Sequence, residues 1–236
     1  MVNSLKRSIS KSEKRKIKHA KVKKTILLAF KEIIDEFGAE NVTMNILAER
    51  TALSRATLYN YFESKEDLFI KLGIEAYDIL TKKFEKATVK SKSGIENVEA
   101  LGYAFIDFHT KQFFYRKALD YAGESYKKIN IQIERLNSEK DQLKMERLKK
   151  ILQNFEMHEM QFVKIWTFTI QQAIDDQTIR QDLSAPILAM TIGTLMTGLL
   201  DELLNRSSLM PNFAQASQNI IEIVMDFIKK GLKYEK

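Results

Sequence analysis

Between Thr43 and Lys65 the chain gathers side chains suited to recognising a polyanion and reading hydrogen-bonding edges. Arg55, Ala56, Thr57 and Asn60 offer a guanidinium, a methyl, a hydroxyl and a carboxamide within six positions. These are the groups that pair with base edges and thymine methyls in a major groove. Tyr59 and Tyr61 carry hydroxyl donors able to reach phosphate oxygens, as anchors beside a reading helix require. Thr43 and Lys65 fall at expected helix starts, where backbone amides and the helix dipole favour an anion. The alternative for the two tyrosines, a core role, meets inward positions already occupied by Leu58 and Phe62. The chemistry indicated is recognition without bond making.

Catalytic and metal-binding patterns find little material. There is no cysteine, so thiolate ligands, disulfides and cysteine nucleophiles are excluded. The three histidines, His19, His109 and His158, are far apart in sequence, and the His158-Glu159 pair is followed by Phe162 where a zinc-binding helix motif needs a second histidine. The run from Gly193 to Gly198 leads into Leu199 rather than the Lys-Ser/Thr of a phosphate loop. The expectation is no catalytic residue, no metal and no cofactor.

The elements that must hold Arg55–Asn60 read as helices. With 2 prolines and 8 glycines in 236 residues, and 44% hydrophobic against 29% charged residues, the balance is globular and all-α. Ile26, Phe30, Ile33 and Phe37 recur at helical spacing from near Lys23, and Gly38 follows where a left-handed cap is expected. Thr43 caps a short helix holding Ile46, Leu47 and Ala48. Thr51–Leu53 form a turn, and Ser54 caps a second helix running towards Phe62. Two short helices joined by three residues are a helix-turn-helix, with Ala48 small at the crossing and Leu53 and Leu58 pinning it. Ser64, with Asp67, opens a longer helix to about Ala87.

Beyond it, Ser93 and Glu96 cap an aromatic helix carrying Tyr103, Phe105, Phe108, Phe113 and Phe114. The charged segment Lys127–Lys150 reads as one helix or two, with Ser138 and Asp141 marking a restart. Later helices are expected around Phe162–Ile174, Pro186–Leu204 and Pro211–Leu232, the prolines near helix starts.

Charge is uneven. The net +7 hides ten bases against Glu13 alone up to Lys24, ahead of a slightly acidic remainder. Such a flexible basic arm favours nucleic acid as partner and adds non-specific, salt-dependent affinity; a solvated tail is the blander alternative. No apolar h-region follows it and no run approaches the length of a membrane span, so a cytoplasmic protein without membrane contact is expected.

The run Thr57-Leu58-Tyr59-Asn60-Tyr61-Phe62, followed by Ser64-Lys65-Glu66-Asp67-Leu68-Phe69, resembles the DNA-binding domain of TetR/AcrR-type transcriptional regulators. The likeness covers about Lys23 to Phe69, and the Ile179–Leu183 segment looks like the family's turn before its last two helices. Ala52 and Ala56 depart from it, standing where the family commonly has glycine. A positive φ at Ala52 would cost about 1 kcal/mol, and the Ala56 methyl could select a thymine methyl.

The resemblance implies a basic arm over residues 1–22, a three-helix DNA-binding domain over 23–69, and a larger helical ligand-binding and dimerisation domain over 70–236. It implies a homodimer on a palindromic double-stranded operator, probing successive major grooves, and release by a small-molecule inducer, most simply as a repressor. Leu188, Ile192, Leu195, Leu199, Leu203, Ile220, Ile223, Val224 and Phe227 could form the dimer bundle or an intramolecular core. Tyr103, Asp107, His109, Phe113, Phe114, Phe162 and Trp166 are candidates to line the pocket; an aromatic stripe at this spacing also fits plain core. The helix from Ser64 to Ala87 joins the two parts and is the expected lever. A scaffold protein that has lost operator binding is the main alternative.

Overall fold

A computed structural model describes residues 10–89, 92–136, 138, 141–205 and 213–233, and the side chains of Phe113, 204, 205 and 213–216 lie outside that description. Among the described residues the helices are α1 (Lys11–Phe37), α2 (Met44–Thr51), α3 (Arg55–Tyr59), α4 (Lys65–Ala87), α5 (Gly94–Lys111), α6 (Phe113–Arg135), α7 (Gln142–Asp175), α8 (Ala185–Asn205) and α9 (Phe213–Leu232). The described residues contain no strand, and one isolated bridge pairs Ile179 with Lys233.

Several expected boundaries move. Helix α1 begins at Lys11 rather than near Lys23, because Ser10 and Glu13 close a capping box. Residues 11–22 of the expected flexible arm are therefore helical; residues 1–9 lie outside the described residues. Gly38 takes φ 81° and ψ 154°, positive in φ but not the left-handed helical cap expected. The aromatic helix ends at Lys111. Gln112 breaks it at φ −112° and ψ 51°, so Phe113 and Phe114 belong to α6. The charged segment is two helices, with Ser138 donating to Asp141 in the gap. The helix expected around Phe162–Ile174 is the last part of the continuous α7. Pro186 sits in the first turn of α8, where its missing N–H is tolerated; Pro211 lies outside the described residues.

Helix α4 packs against α5, α6 and α7 and contributes to three hydrophobic clusters. Its first turns place Leu68, Phe69 and Leu72 among Ile26, Phe30, Ile33, Leu47 and Leu58 of α1–α3. Ile70 and Ile74 pack with Ile129 of α6 and Leu152 and Phe155 of α7. Its last turns bring Leu80 and Phe84 to Leu101, Phe108, Ile170 and Met225. Close approach at the start of α5 requires glycine, since a Cβ on Gly94 would lie 2.2 Å from the Cα of Ala173. That approach lets the Gly94 and Ile95 amides donate to Asp176 (2.6 Å) and to the Thr178 hydroxyl (2.9 Å).

Helix α8 has the length and composition of a membrane span, contrary to the sequence expectation, because it is apolar on two sides. Leu188, Ile192 and Leu203 face the core of the chain itself, so for this part of the stripe the intramolecular alternative holds. Leu195, Ile223 and Phe227 remain exposed, joined by Ile187 and Met190.

Polar groups are also buried in the larger domain. Arg116 is 4% exposed and donates to Asp201 of α8 at 2.6 Å. His109 is buried against the rings of Phe105 and Phe108, and neither ring nitrogen has a hydrogen-bond partner among the described residues. Burial first, and the Arg116 guanidinium second, push the His109 imidazole down to about 4, while Asp201 pulls the other way.

Two outcomes follow from this packing. Gly94→Ala should lower the melting temperature by several degrees, corresponding to about 1–3 kcal/mol of overpacking, with the dichroism of the folded state still helical. Because its folded pKa is depressed, neutral His109 contributes stability that is complete above its unfolded value near 6.5 and is lost as pH falls towards about 4. Melting temperatures measured across that window should decline less in His109→Phe than in the parent; identical profiles would remove His109 as a cause.

Candidate nucleic-acid interface

A five-residue helix cannot persist alone, since helix nucleation outweighs so few hydrogen bonds. Helix α3 survives because both ends are held. At its start the Ser54 hydroxyl accepts from the Thr57 amide at 3.0 Å and lies 2.8 Å from the Thr57 hydroxyl. At its end the Asn60, Tyr61 and Phe62 amides all donate to carbonyls of the last turn. Leu58, fully buried, pins its inner side.

The turn before it has the geometry that the sequence left conditional. Ala52 adopts φ 52° and ψ 31°, left-handed helical, and the Leu53 amide donates to Ala48 across the turn at 3.1 Å. The strain of about 1 kcal/mol at a non-glycine residue is thus present.

With Leu53 and Leu58 turned inward, Arg55, Ala56, Tyr59 and Asn60 are exposed together, and Thr57 is half-buried beside them. The Thr57 hydroxyl is shared with the Ser54 cap, which sets its direction. Thr43 caps α2, its hydroxyl accepting from the Ile46 amide at 3.2 Å, and is exposed. Lys65 opens α4 immediately after the Ser64 cap. The capping pair there is offset by one residue: Asp67 accepts from the Glu63 amide at 3.0 Å, while Ser64 accepts from the Asp67 amide. Burial pushes the Asp67 carboxyl up to about 6. Tyr61 is half-buried against the domain core, so it combines a packing role with its hydroxyl.

Sequence reasoning passed over His19, whose ring lies 4.7 Å from that of Tyr61 at 33°. Its signal was available: His19 precedes Ile26, Phe30 and Ile33 at helical spacing and lies on the same stripe. Also passed over was Arg147 of α7, which pairs with Glu63 at 3.2 Å and ties the larger domain to the turn between α3 and α4. Lys31 of α1 donates to Glu75 of α4 and to the Tyr115 hydroxyl of α6.

The residues expected to line a pocket do not meet around one cavity. Tyr103 is exposed, and Asp107 is held by Lys83 and Lys111, whose hydrogen bonds keep its carboxyl below the usual range. Phe114 packs on the core of α1–α4, and Phe162 lies against Phe84 and Tyr77. The Phe113 side chain lies outside the described residues. Trp166 alone of the set borders the apolar cavity between α5, α8 and α9, about 10 Å³ in volume, together with Gly102, Met196 and Met225.

Comparison with known proteins agrees with this geometry. Residues 26–72 match the family described as bacterial regulatory proteins, tetR family. The uncharacterized HTH-type transcriptional regulator YhgD of Bacillus subtilis (strain 168) is 29% identical over 86 residues, 36% of this chain and 45% of YhgD. The match therefore spans less than half the length of that curated relative. The structure is similar to a tetR-family regulatory protein from Rhodococcus RHA1 (TM-score 0.60, 12% identity, 91% of this chain and 98% of that one). It is similar also to the ketosteroid transcriptional regulator KstR2 of Mycobacterium tuberculosis (0.56, 17%, 90% and 95%). A third likeness is to the fatty acid degradation regulator FadR from Bacillus halodurans (0.57, 15%, 88% and 98%). At these identities the likeness concerns the fold. The match to the tetR-family model thus falls on the segment that carries α2 and α3, and the whole chain shares its all-helical fold with these regulator structures.

Proposed function

We propose that this chain is a cytoplasmic repressor that binds a palindromic operator as a homodimer and leaves it when a small apolar molecule binds. The observation that carries the reading is the exposed side of α3, where Arg55, Ala56, Tyr59 and Asn60 stand clear of the core. Arg55, Ala56, Thr57 and Asn60 read base edges; Thr43, Tyr59, Tyr61 and Lys65 anchor the phosphates on either side.

Dimerisation uses α8 and α9. Their exposed Ile187, Met190, Leu195, Ile223 and Phe227 form an apolar surface that a second copy would cover, giving an intersubunit four-helix bundle. A dimer of this kind places two recognition helices about 34 Å apart, one turn of duplex.

Release works by population shift. A cavity of about 10 Å³ holds no more than a water, so a ligand binds only where α5, α8 and α9 have parted. A molecule that prefers the opened state draws the dimer towards it by that difference in affinity. Helix α4 transmits the change, because the same helix packs in both domains. The apolar lining around Trp166 and Met225 favours an apolar ligand, and the similar regulators named for ketosteroid and fatty acid control are consistent with that class.

The test is selection of fragmented genomic DNA by the purified protein, followed by sequencing of what is retained. An enriched inverted repeat is expected; recovery at background would return the protein to a scaffold role. On the recovered site, Arg55→Ala should relax preference at one base position by about 1–3 kcal/mol. Tyr59→Ala and Lys65→Ala should instead weaken all sequences alike, as phosphate contacts do. A uniform loss from Arg55→Ala would remove it as a base reader.

A further inference from the structure

The N-terminal part of α1 is a helix without a core. From Lys11 to Lys21 every residue is exposed, and the first buried residue of α1 is Ile26. An isolated helix of three turns is marginal in water, and this one is further opposed by its own charge. Lys11 and Arg15, and Lys14 and Lys18, are like-charged pairs at i, i+4. Its one acid, Glu13, accepts from the Ser10 amide to close the cap, and by helical spacing lies off the face that carries these bases. Lys11, Lys14, Arg15, Lys18 and Lys21 recur at three- and four-residue spacing and share one face.

This helix is also seated. The His19 ring packs on Tyr61, and the Lys23 ammonium lies 5.4 Å over the Phe62 ring. Both contacts are to the residues that follow α3, so the extension is oriented relative to the recognition helix rather than tethered loosely to it.

We infer that the helical extension of α1 is a second DNA-binding element, a rigid cationic rod that follows the phosphate backbone beside each half-site, held in register with α3 by His19 on Tyr61. The inference rests on the operator-binding reading above. Charge complementarity selects the partner: a regular row of cations on a face that carries no acid, with no apolar face to bury, matches a regular row of phosphates. At about 1.5 Å per residue the extension reaches on the order of 17 Å, comparable with about five phosphate spacings of one strand. Neutralisation by phosphates would also relieve the repulsion that opposes the helix, so binding and helicity reinforce one another.

A rod differs from a flexible basic tail in needing its helix, and a proline tests that without touching the charge. Ile17 is 58% exposed, so its replacement removes nothing from the core. Binding would be measured for the parent, Ile17→Pro, Ile17→Ala and a chain lacking residues 1–16. The duplexes would be one carrying the inverted repeat recovered by genomic selection with flanks on both sides, and one of random sequence. Salt would be varied throughout, with melting temperatures alongside.

The expected result is that Ile17→Pro weakens binding about as much as the deletion does, tenfold or more at low salt. Its salt slope should become shallower by about 0.9 for each phosphate that the protein no longer neutralises. Its melting temperature and preferred sequence should be unchanged, and Ile17→Ala should match the parent. If Ile17→Pro binds like the parent while the deletion weakens binding, the segment is a flexible tail and the inference is overturned. It is equally overturned if neither change matters, or if Ile17→Ala loses as much as Ile17→Pro. If the parent itself binds neither duplex, the operator-binding reading fails, and that outcome is told apart by the parent alone.

Discussion

The structure depends on α4 being a single unbroken helix shared by three hydrophobic clusters. Its early turns complete the core of the helix-turn-helix, its middle packs on α6 and α7, and its late turns enter the core under α8 and α9. None of these clusters can shift α4 independently, because a helix transmits displacement along its axis with little bending. The small N-terminal domain has no sufficient core without Leu68, Phe69 and Leu72. The same constraint that stabilises it couples it to everything behind it.

That coupling is reinforced by polar contacts and one ring stack placed around the junction. Arg147 reaches Glu63, Tyr121 stacks on Phe69 at 5.2 Å, and Lys31 joins α1 to α4 and α6. Each partly exposed pair contributes modestly, about 0–1 kcal/mol, so their role is to set orientation more than to hold the domains together. Apolar packing supplies the adhesion, and the polar contacts choose among the ways of packing.

The recognition element is local structure held by non-local means. Helix α3 is too short to be stable alone, and Ala52 sits in a conformation that an L side chain resists. Both are sustained by Leu58 in the core, by the Ser54 hydroxyl at the start of α3 and by backbone hydrogen bonds at its end. The consequence is an exposed surface whose side chains start from a fixed backbone, as the proposed reading of base pairs would require. The strongly basic extension of α1 is different in kind: its charge is plain, and what gives it direction is the pair of contacts of His19 with Tyr61 and Lys23 with Phe62.

Much of this was legible before any coordinates. The caps at Thr43, Ser54, Ser64 and Ser93 mark helix starts because a hydroxyl there satisfies an amide that has no partner within the helix, a local event that sequence records directly. The alternation that buries Leu58 and exposes Arg55 and Asn60 is likewise written in periodicity. Tertiary structure decided what periodicity leaves degenerate. An apolar stripe says that a face is buried but not against what. So Phe114 joined the core of the smaller domain and Asp107 was taken by two lysines rather than gathering in a pocket, while Leu188 and Ile192 took the core within the chain, one of the two places their stripe allowed. The break at Gln112 and the continuity of α7 were decided the same way, since neither carries the glycine or proline that would announce it. Sequence by itself determined the helix starts at Thr43, Ser54, Ser64 and Ser93 and the chemistry of the exposed side of α3, because both depend on near neighbours. Which faces meet was settled only by packing, because contacts between distant helices depend on shape and volume that no local pattern encodes.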